Sequence, residues 1–413
     1  MSQRMKKYLM ALFTLIVLLA TVITQISAYK ALPKPSFREP FLEFTSAKFG
    51  QIKNIVWLDN YVSADNALLV LATKLKDNIS YSYLSYLNAA TGESTLLAEF
   101  PTHRSLGNVI LFTNSFSGYG IITASRNGIV KTTLTRDDNR NLHADQGFIP
   151  IKDFDEATSM GFKGNLYYSK ANDNLLYVKN FEQETPPFFT TTDQPNLDMT
   201  FLRKPYQIVN ADTLDRSLTY TSLTPKGLDL YSMDFDGMPL TFNNQPLIRN
   251  VVEAQGIEND YGFIGMNLNP SKSSDNQTLK IFMVRRNNSV DHHPLEMDTI
   301  PLNTDPLGAL PAISSTTFNK DYTLVYTSYD KGHKGKLIKC NYQQKPKVIL
   351  EDKNLFGPVR ITRKSISDPA VPSAKGENRK KYILYFTSER NLVHVKICDE
   401  QGKLVKDLTD SFE

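Results

Sequence analysis

A recurring hairpin constrains this chain more than any other feature of its sequence. The pattern is an apolar strand ending in Tyr/Phe-Thr-Ser, a short polar turn, and a second alternating strand that ends near Asp or Asn and Gly. It is clearest over Leu218 to Gly237 (LTYTSLTPKGLDLYSMDFDG). It recurs over Leu324 to Asn341 (LVYTSYDKGHKGKLIKCN) and Leu384 to Gly402 (LYFTSERNLVHVKICDEQG), and more weakly over Leu166 to Phe181. Degenerate copies start at Leu69, Ile121 and Lys280, the last being the poorest. Successive starts lie roughly 45 to 60 residues apart, which leaves room for four short strands per repeat, the size of a propeller blade. Each copy reads as a β-hairpin, with turn residues interrupting two runs of period-2 alternation. In the Leu218 copy, Leu228, Leu230 and Met233 fall near one side and Asp229 and Ser232 near the other, an offset that predicts a bulge.

The alternative architecture is a β-sandwich whose hairpins merely look alike. Against it stands the shared lettering at Tyr220-Thr221-Ser222, Tyr326-Thr327-Ser328 and Phe386-Thr387-Ser388. Strand propensity alone does not repeat the same letters at the same strand end. The aromatic content, 11% with 20 Tyr and 23 Phe, suits pleated, half-buried surfaces. The expected fold is therefore all-β, a propeller of seven blades, with six or eight open, after an N-terminal targeting helix.

These strand ends, together with Met233-Asp234-Phe235-Asp236-Gly237, resemble the blades of TolB-type propellers. The resemblance covers short parts of about four blades and implies architecture. The Ser-Pro-Asp-Gly turn usual before such strands is missing, as is a partner-binding N-terminal domain like that of TolB. A TolB-like role is accordingly not implied.

The amino terminus carries the strongest local signal. A basic start (MSQRMKKY) runs into the apolar stretch Leu9 to Ile23, followed by the small pair Ser27-Ala28. A charged region, a short apolar core and a small-residue exit describe a secretory signal. Extension through Ile26 would instead give an uncleaved anchor over residues 9–26. The reading is 1–28 as signal peptide or signal anchor, 29–45 as an N-terminal segment, and 46–413 as the propeller. Phe41, Leu42 and Phe44 in that segment are expected to supply a strand that completes the last blade and closes the ring. The basic flank stays inside, so the bulk of the chain is expected to be periplasmic, extracellular or held at the outer side of the membrane.

Charge narrows the partners. The net charge is +4, but Arg4, Lys6 and Lys7 belong to the targeting segment; without them 44 basic residues face 43 acidic ones. That balance gives no basic stripe for nucleic acid. Lys331, Lys334, Lys336, Lys339, Lys345 and Lys347 form one local basic stretch, read chiefly as a solvated strand face.

No constellation nominates catalytic residues. The His292-His293 pair, flanked by Asp291 and Glu296, places adjacent side chains on opposite faces of a strand and lacks the i, i+4 spacing of a zinc site. The Asp234 to Gly237 run lacks the further oxygens of a calcium loop. No nucleophile elbow or phosphate-cradling loop occurs, so no metal or cofactor is expected. Cys340 and Cys398 fall on equivalent strands of successive hairpins and are expected to be unpaired. Asn78-Ile79-Ser80, Asn276-Gln277-Thr278 and Asn287-Asn288-Ser289 are glycosylation sequons. The functional expectation is a non-enzymatic scaffold of the cell envelope or extracellular space that binds a protein or polymer and touches membrane only through an uncleaved N-terminal segment. The alternative is a glycosidase, lyase or lactonase type of propeller enzyme with its site in the central funnel.

Overall fold

The computed structural model describes residues 44–413 apart from 59–66, 103–108, 115–117, 126–127, 137–141, 158–164, 171–174, 181–194, 201–205, 213–216, 226, 235–244, 258–261, 270–276, 286–293, 319–320, 363–365, 368–378 and 391. The expected targeting segment 1–28, and all of 29–45 except Phe44 and Thr45, lie outside the described residues. No helix among those residues is long and apolar enough to cross a membrane.

The described chain is almost wholly antiparallel β-structure arranged as consecutive meanders. The first sheet holds β1 (Phe44–Ser46), β2 (Gly50–Leu58), β3 (Ala67–Lys76), β4 (Ile79–Asn88) and β5 (Ser94–Pro101). The second holds β6 (Val109–Asn114), β7 (Gly118–Ser125), β8 (Gly128–Arg136) and β9 (Leu142–Pro150). The third holds β10 (Phe154–Ala157), β11 (Asn165–Lys170), β12 (Leu175–Asn180) and β13 (Pro195–Thr200). A fourth, seven-stranded sheet runs through β14 (Gln207–Asp212), β15 (Ser217–Thr224), β16 (Gly227–Asp234), β17 (Ile248–Gly256), β18 (Gly262–Asn269), β19 (Thr278–Arg285) and β20 (Leu295–Pro301). The fifth holds β21 (Ile313–Phe318), β22 (Asp321–Tyr329), β23 (Gly335–Asn341) and β24 (Lys347–Asp352). The sixth orders β25 (Leu355–Ile361), β28 (Tyr382–Glu389), β29 (Leu392–Asp399) and β30 (Leu404–Asp407). The pair β26 (Ile366–Ser367) and β27 (Arg379–Lys380) is inserted between the first two strands of that sheet, within the polar stretch 365–381.

The repeated lettering now has a physical cause. Strand β22 is buried on both faces, because Leu324 and Tyr326 enter the core shared with β18, β19 and β20, while Val325 enters the core shared with the sixth sheet. A strand covered on both sides reads as a continuous apolar run rather than a strict alternation. The threonine that follows tethers the strand to its neighbour: Thr327 Oγ1 accepts the Ala312 N–H at 2.9 Å, and Thr221 Oγ1 donates to the Gln207 carbonyl at 3.5 Å. Six of the hairpin copies coincide with a hairpin of their meanders, the third and fourth strands of the first sheet and the second and third of the others, beginning in β3, β7, β11, β15, β22 and β28. The copy at Lys280 is one strand out of phase, since it lies on β19, the partner of both β18 and β20. The corresponding second strand is β18, whose GFIGMNLN sequence carries no Tyr/Phe-Thr-Ser ending. The predicted bulge is absent from the β15–β16 ladder, which runs in unbroken register; the shift between Leu228 and Leu230 falls on the β16–β17 side.

Each apolar core draws on two neighbouring layers of strands. One joins the first and second sheets, through residues such as Leu69, Tyr86, Ile121 and Val130. Another joins β18–β20 to the fifth sheet, and a third joins the fifth to the sixth. Inside the fourth sheet, Val209 of β14 shares a core with Phe263 of β18 and Phe282 of β19. Strands that far apart in a flat sheet would not share a core, so this sheet folds back on itself at β17. Strand β17 pairs with β16 through Ile248 and Val251, and with β18 from Val251 to Gly256.

The first and sixth sheets share a core. Phe44, Ile52, Trp57 and Val70 of the first sheet share a core with Phe356, Leu384, Phe386 and Val395 of the sixth. Of the residues expected to close the ring, Phe41 and Leu42 lie outside the described residues. Phe44–Ser46 pairs with β2 inside the first sheet, and β30, from the C-terminal side, is the fourth strand of the sixth. A short 3-10 turn, Thr409–Ser411, then carries Phe412 to the entrance of β2. Its ring lies 5.9 Å from that of Phe44 and 5.3 Å from that of Phe49. Its carbonyl accepts the Ser46 hydroxyl and, at 3.5 Å, the Lys48 N–H.

Candidate functional site

Two regions concentrate polar side chains at defined places, and neither was nominated by a sequence motif. The first lies along the opening strands of the meanders, where the first and sixth sheets face one another. Asn54 of β2 and Arg360 of β25 are both buried, and Arg360 Nη2 donates to Asn54 Oδ1 at 3.2 Å. Arg360 Nη1 donates to the Val359 carbonyl at 3.0 Å, and the indole N–H of Trp57 donates to the Arg360 carbonyl at 3.4 Å. The line continues with Ser314 Oγ accepting the Ile361 N–H at 3.3 Å, and with the Gln255 side-chain amide donating to the Ile313 carbonyl. Glu253 accepts from that same amide at 3.3 Å. These bonds tie the opening strands of successive layers to one another. Hydrogen bonds between buried polar groups add geometric specificity as well as modest stability.

The second region is the end where, among the described residues, the turn between a meander's two hairpin strands meets the connection into or out of its sheet. Buried Asp305 organises the connection from β20 to β21. Its Oδ1 accepts the N–H groups of Leu307 and Ala309, both at 2.8 Å, and its Oδ2 accepts that of Gly357 at 2.9 Å. The loop therefore closes on itself and is pinned to β25 at once. Leu307 is thrust outward at its tip, 65% exposed. Nearby, His333 Nδ1 bonds the Thr304 carbonyl at 3.0 Å, and Asn303 Nδ2 donates to the Tyr329 carbonyl at 2.9 Å. The same meeting recurs elsewhere. Ser80 and Ser82 hydroxyls donate to Thr102 Oγ1 in the first sheet, and Ser388 N–H donates to the Asn354 carbonyl in the sixth. At these ends Leu75 is 78% exposed and Leu223 63%, with Ile79 and Leu392 also exposed. Asp77 and Asn78, at φ 50° and 61°, form the two-residue turn that projects Leu75 and Ile79.

The sequence candidates are dispersed. His292, His293 and Asp291 lie outside the described residues, as do Asp236, Gly237 and the sequon asparagines Asn276, Asn287 and Asn288. Glu296 is described. Lys280 Nζ reaches it at 2.7 Å and the Thr299 hydroxyl at 2.8 Å, bonds that hold its carboxyl below the usual range. Among the described residues no three His, Cys, Asp or Glu side chains gather as metal ligands would. Within the basic stretch, Lys334 and Lys336 share Glu351, and Lys339 pairs with Glu400 at 2.7 Å. Asn78 of the first sequon sits at an exposed turn.

Cys340 and Cys398 are both buried and form no disulfide, each in a different core. Burial, with Asp298 adding to it, pushes the Cys340 thiol up to about 11; burial, with Asp399 adding, pushes Cys398 up to about 12. Thiolate is the reactive form, and a raised pKa keeps these groups protonated. Iodoacetamide is therefore expected to leave both cysteines unmodified in the native chain at pH 8, and to label both once urea unfolds it. Intact-mass spectrometry reads the two outcomes, and native labelling at pH 8 would contradict this burial.

Tyr326 hydroxyl donates to Asp298 Oδ2 at 2.5 Å, linking β22 to β20 across the core between their sheets. Burial, then this bond, holds the phenol far above its usual pKa. The phenol is thus a permanent donor, a structural tie rather than an acid or base.

No family model and no curated protein matches this chain. Solved structures do share part of its course. Sqt1 from Chaetomium thermophilum aligns over 91% of this chain and 90% of its own, at 10% identity and a TM-score of 0.48. The Cps50 (Swd1) β-propeller domain from Myceliophthora thermophila aligns over 86% and 98%, at 8% identity and a TM-score of 0.43. The acylaminoacyl peptidase from Pyrococcus horikoshii aligns over 89% of this chain and 54% of its own, at 10% identity and a TM-score of 0.46. At such scores these likenesses carry no argument about activity, which belongs to sites rather than folds.

Proposed function

We propose that this chain is an exported, seven-bladed β-propeller acting in the cell envelope or extracellular space as a non-enzymatic scaffold for a protein or polymer partner. The blade count treats the fourth sheet as two blades, β14–β16 completed by the start of β17, and β17–β20. The core shared by Val209, Phe263 and Phe282 across the bend supports that division. A ring is supported by the meeting of β2 with β25 and by the shared core of the first and sixth sheets. Export rests on the apolar stretch 9–26, and the TolB-type likeness of the hairpins lends architecture alone.

In such a ring, the second-to-third-strand turns and the sheet connections share one face. The carrying observation is that Leu75, Ile79, Leu223, Leu307 and Leu392 all project from those turns and loops. Around them stand exposed charges of both signs, among them Lys74, Asp77, Asp330, Lys331, Glu389 and Arg390. Projecting apolar side chains in a mixed polar rim suit a protein-docking face. The test is a photo-cross-linking residue placed in turn at Leu75, Leu307 and Leu392 of the full chain in its native cells. Discrete adducts are expected from these three positions and not from Leu96 on the outer strand β5. Adducts from Leu96 alone, or from none of the four, would sink the reading.

A further inference from the structure

A second surface, independent of that face, lies on the outer rim of the fifth and sixth sheets. Strands β24 and β30 are the terminal strands of those sheets. The turn between β29 and β30 presents Gly402, at φ 83°, against the Ile349 carbonyl of β24, an approach that any side chain would block. The Lys339–Glu400 pair fastens the same seam. The two rims are thereby joined into one band. Val348 of β24 is exposed on it, and Leu404 and Val405 of β30 are each 51% exposed. Lys345 and Lys347 precede the first, and Lys403 and Lys406 bracket the other two, all four exposed.

The acids nearby are already engaged. Glu351 is held by Lys334 and Lys336, and Glu400 by Lys339. Asp399 accepts the N–H groups of Gln401 and Lys403, and Asp407 accepts from Thr409. Among the described residues, Lys345, Lys347, Lys403 and Lys406 have no carboxylate partner; Lys406 rests on the Ala90 carbonyl at 3.0 Å. Surplus positive charge beside exposed aliphatics, on a strand with one open edge, matches one kind of ligand. An extended acidic segment can satisfy the strand's outer backbone groups, pair its aliphatic residues across the new ladder, and present carboxylates to the lysines. A lipid surface would use the charge and the aliphatics but leave the strand edge unsatisfied.

We propose that β30 is a docking edge for an extended, acidic, aliphatic segment of a partner protein, which adds to the sixth sheet as a further strand and places its carboxylates against Lys345, Lys347, Lys403 and Lys406. The probe is a labelled eight-residue peptide alternating Asp with Val, titrated against the full chain by fluorescence polarisation, with hydrogen exchange followed in parallel. Micromolar binding is expected, weakened at least about tenfold by K403E/K406E, by K345E/K347E on the neighbouring strand, and by raising NaCl from about 50 to about 500 mM. Amide exchange over residues 403–406 should slow in the complex. No binding at about 1 mM peptide, equal binding of an Asn/Val peptide, or indifference to both charge reversals would overturn the proposal. So would binding that leaves exchange at 403–406 unchanged. Retention on phosphatidylglycerol vesicles without peptide binding would assign the band to lipid and likewise overturn it.

Discussion

Replacing Phe412 with Ala is expected to destabilise the whole chain by about 3–5 kcal/mol, the range for removing a large buried aromatic from a packed core. The residue stands next to the end of the sequence, where substitution is ordinarily harmless. Here its ring fills the junction between Phe44 and Phe49, and its carbonyl takes the Ser46 hydroxyl and the Lys48 N–H. The tail thus fastens the first sheet to the sixth through side-chain and backbone contacts. Removing Glu413 alone should change stability by no more than about 0.5 kcal/mol, since it is exposed. Removing residues 411–413 should cost at least as much as Phe412→Ala. Urea unfolding followed by tyrosine and tryptophan fluorescence measures all three. A loss below about 1 kcal/mol for Phe412→Ala would mean that the junction holds without its clasp.

The second large effect is expected at Asp305. Changing it to Ala strands three N–H groups, the buried one of Gly357 and the part-buried ones of Leu307 and Ala309. A buried donor left unsatisfied costs about 1–3 kcal/mol, and the two part-buried ones can turn to water, so a loss of about 2–3 kcal/mol is expected. Asp305→Asn keeps one acceptor oxygen and should lose less, about 1–2 kcal/mol. The loop itself gives a separate readout. With its pin to Gly357 removed, the connection from Leu302 to Ala312 should become cleavable by a nonspecific protease while β21–β24 stay resistant. Asp305→Ala matching the native chain in both stability and cleavage would show that the carboxylate holds nothing.

The sequence exposed the hairpins because each is a local object. A strand, a turn and its partner lie within about 20 residues, and burial on both faces imprints the same letters wherever the same environment recurs. That is why Tyr220-Thr221-Ser222, Tyr326-Thr327-Ser328 and Phe386-Thr387-Ser388 were legible. Pro195, which has no N–H to give a ladder, opens β13, the edge of the third sheet. The copy at Lys280 was misplaced by one strand because β18 follows the fold without the lettering: Gly265 replaces a side chain where Phe282 packs against it.

No local pattern, by contrast, could reveal which layers face one another. Cys340 and Cys398 look equivalent in sequence, yet one enters the core toward β19 and the other the core between the fifth and sixth sheets. No sequence motif marks Asp305, Arg360 or Phe412. Their partners are contributed by distant chain: Gly357 for Asp305, Asn54 for Arg360, Phe44 and Phe49 for Phe412. The sequence by itself determined the strands and their hairpins, because period, turn chemistry and two-sided burial act over short stretches. The tertiary structure alone decided how the first and sixth sheets are joined and which side chains bear that junction, because those contacts depend on the packing of layers separated by hundreds of residues.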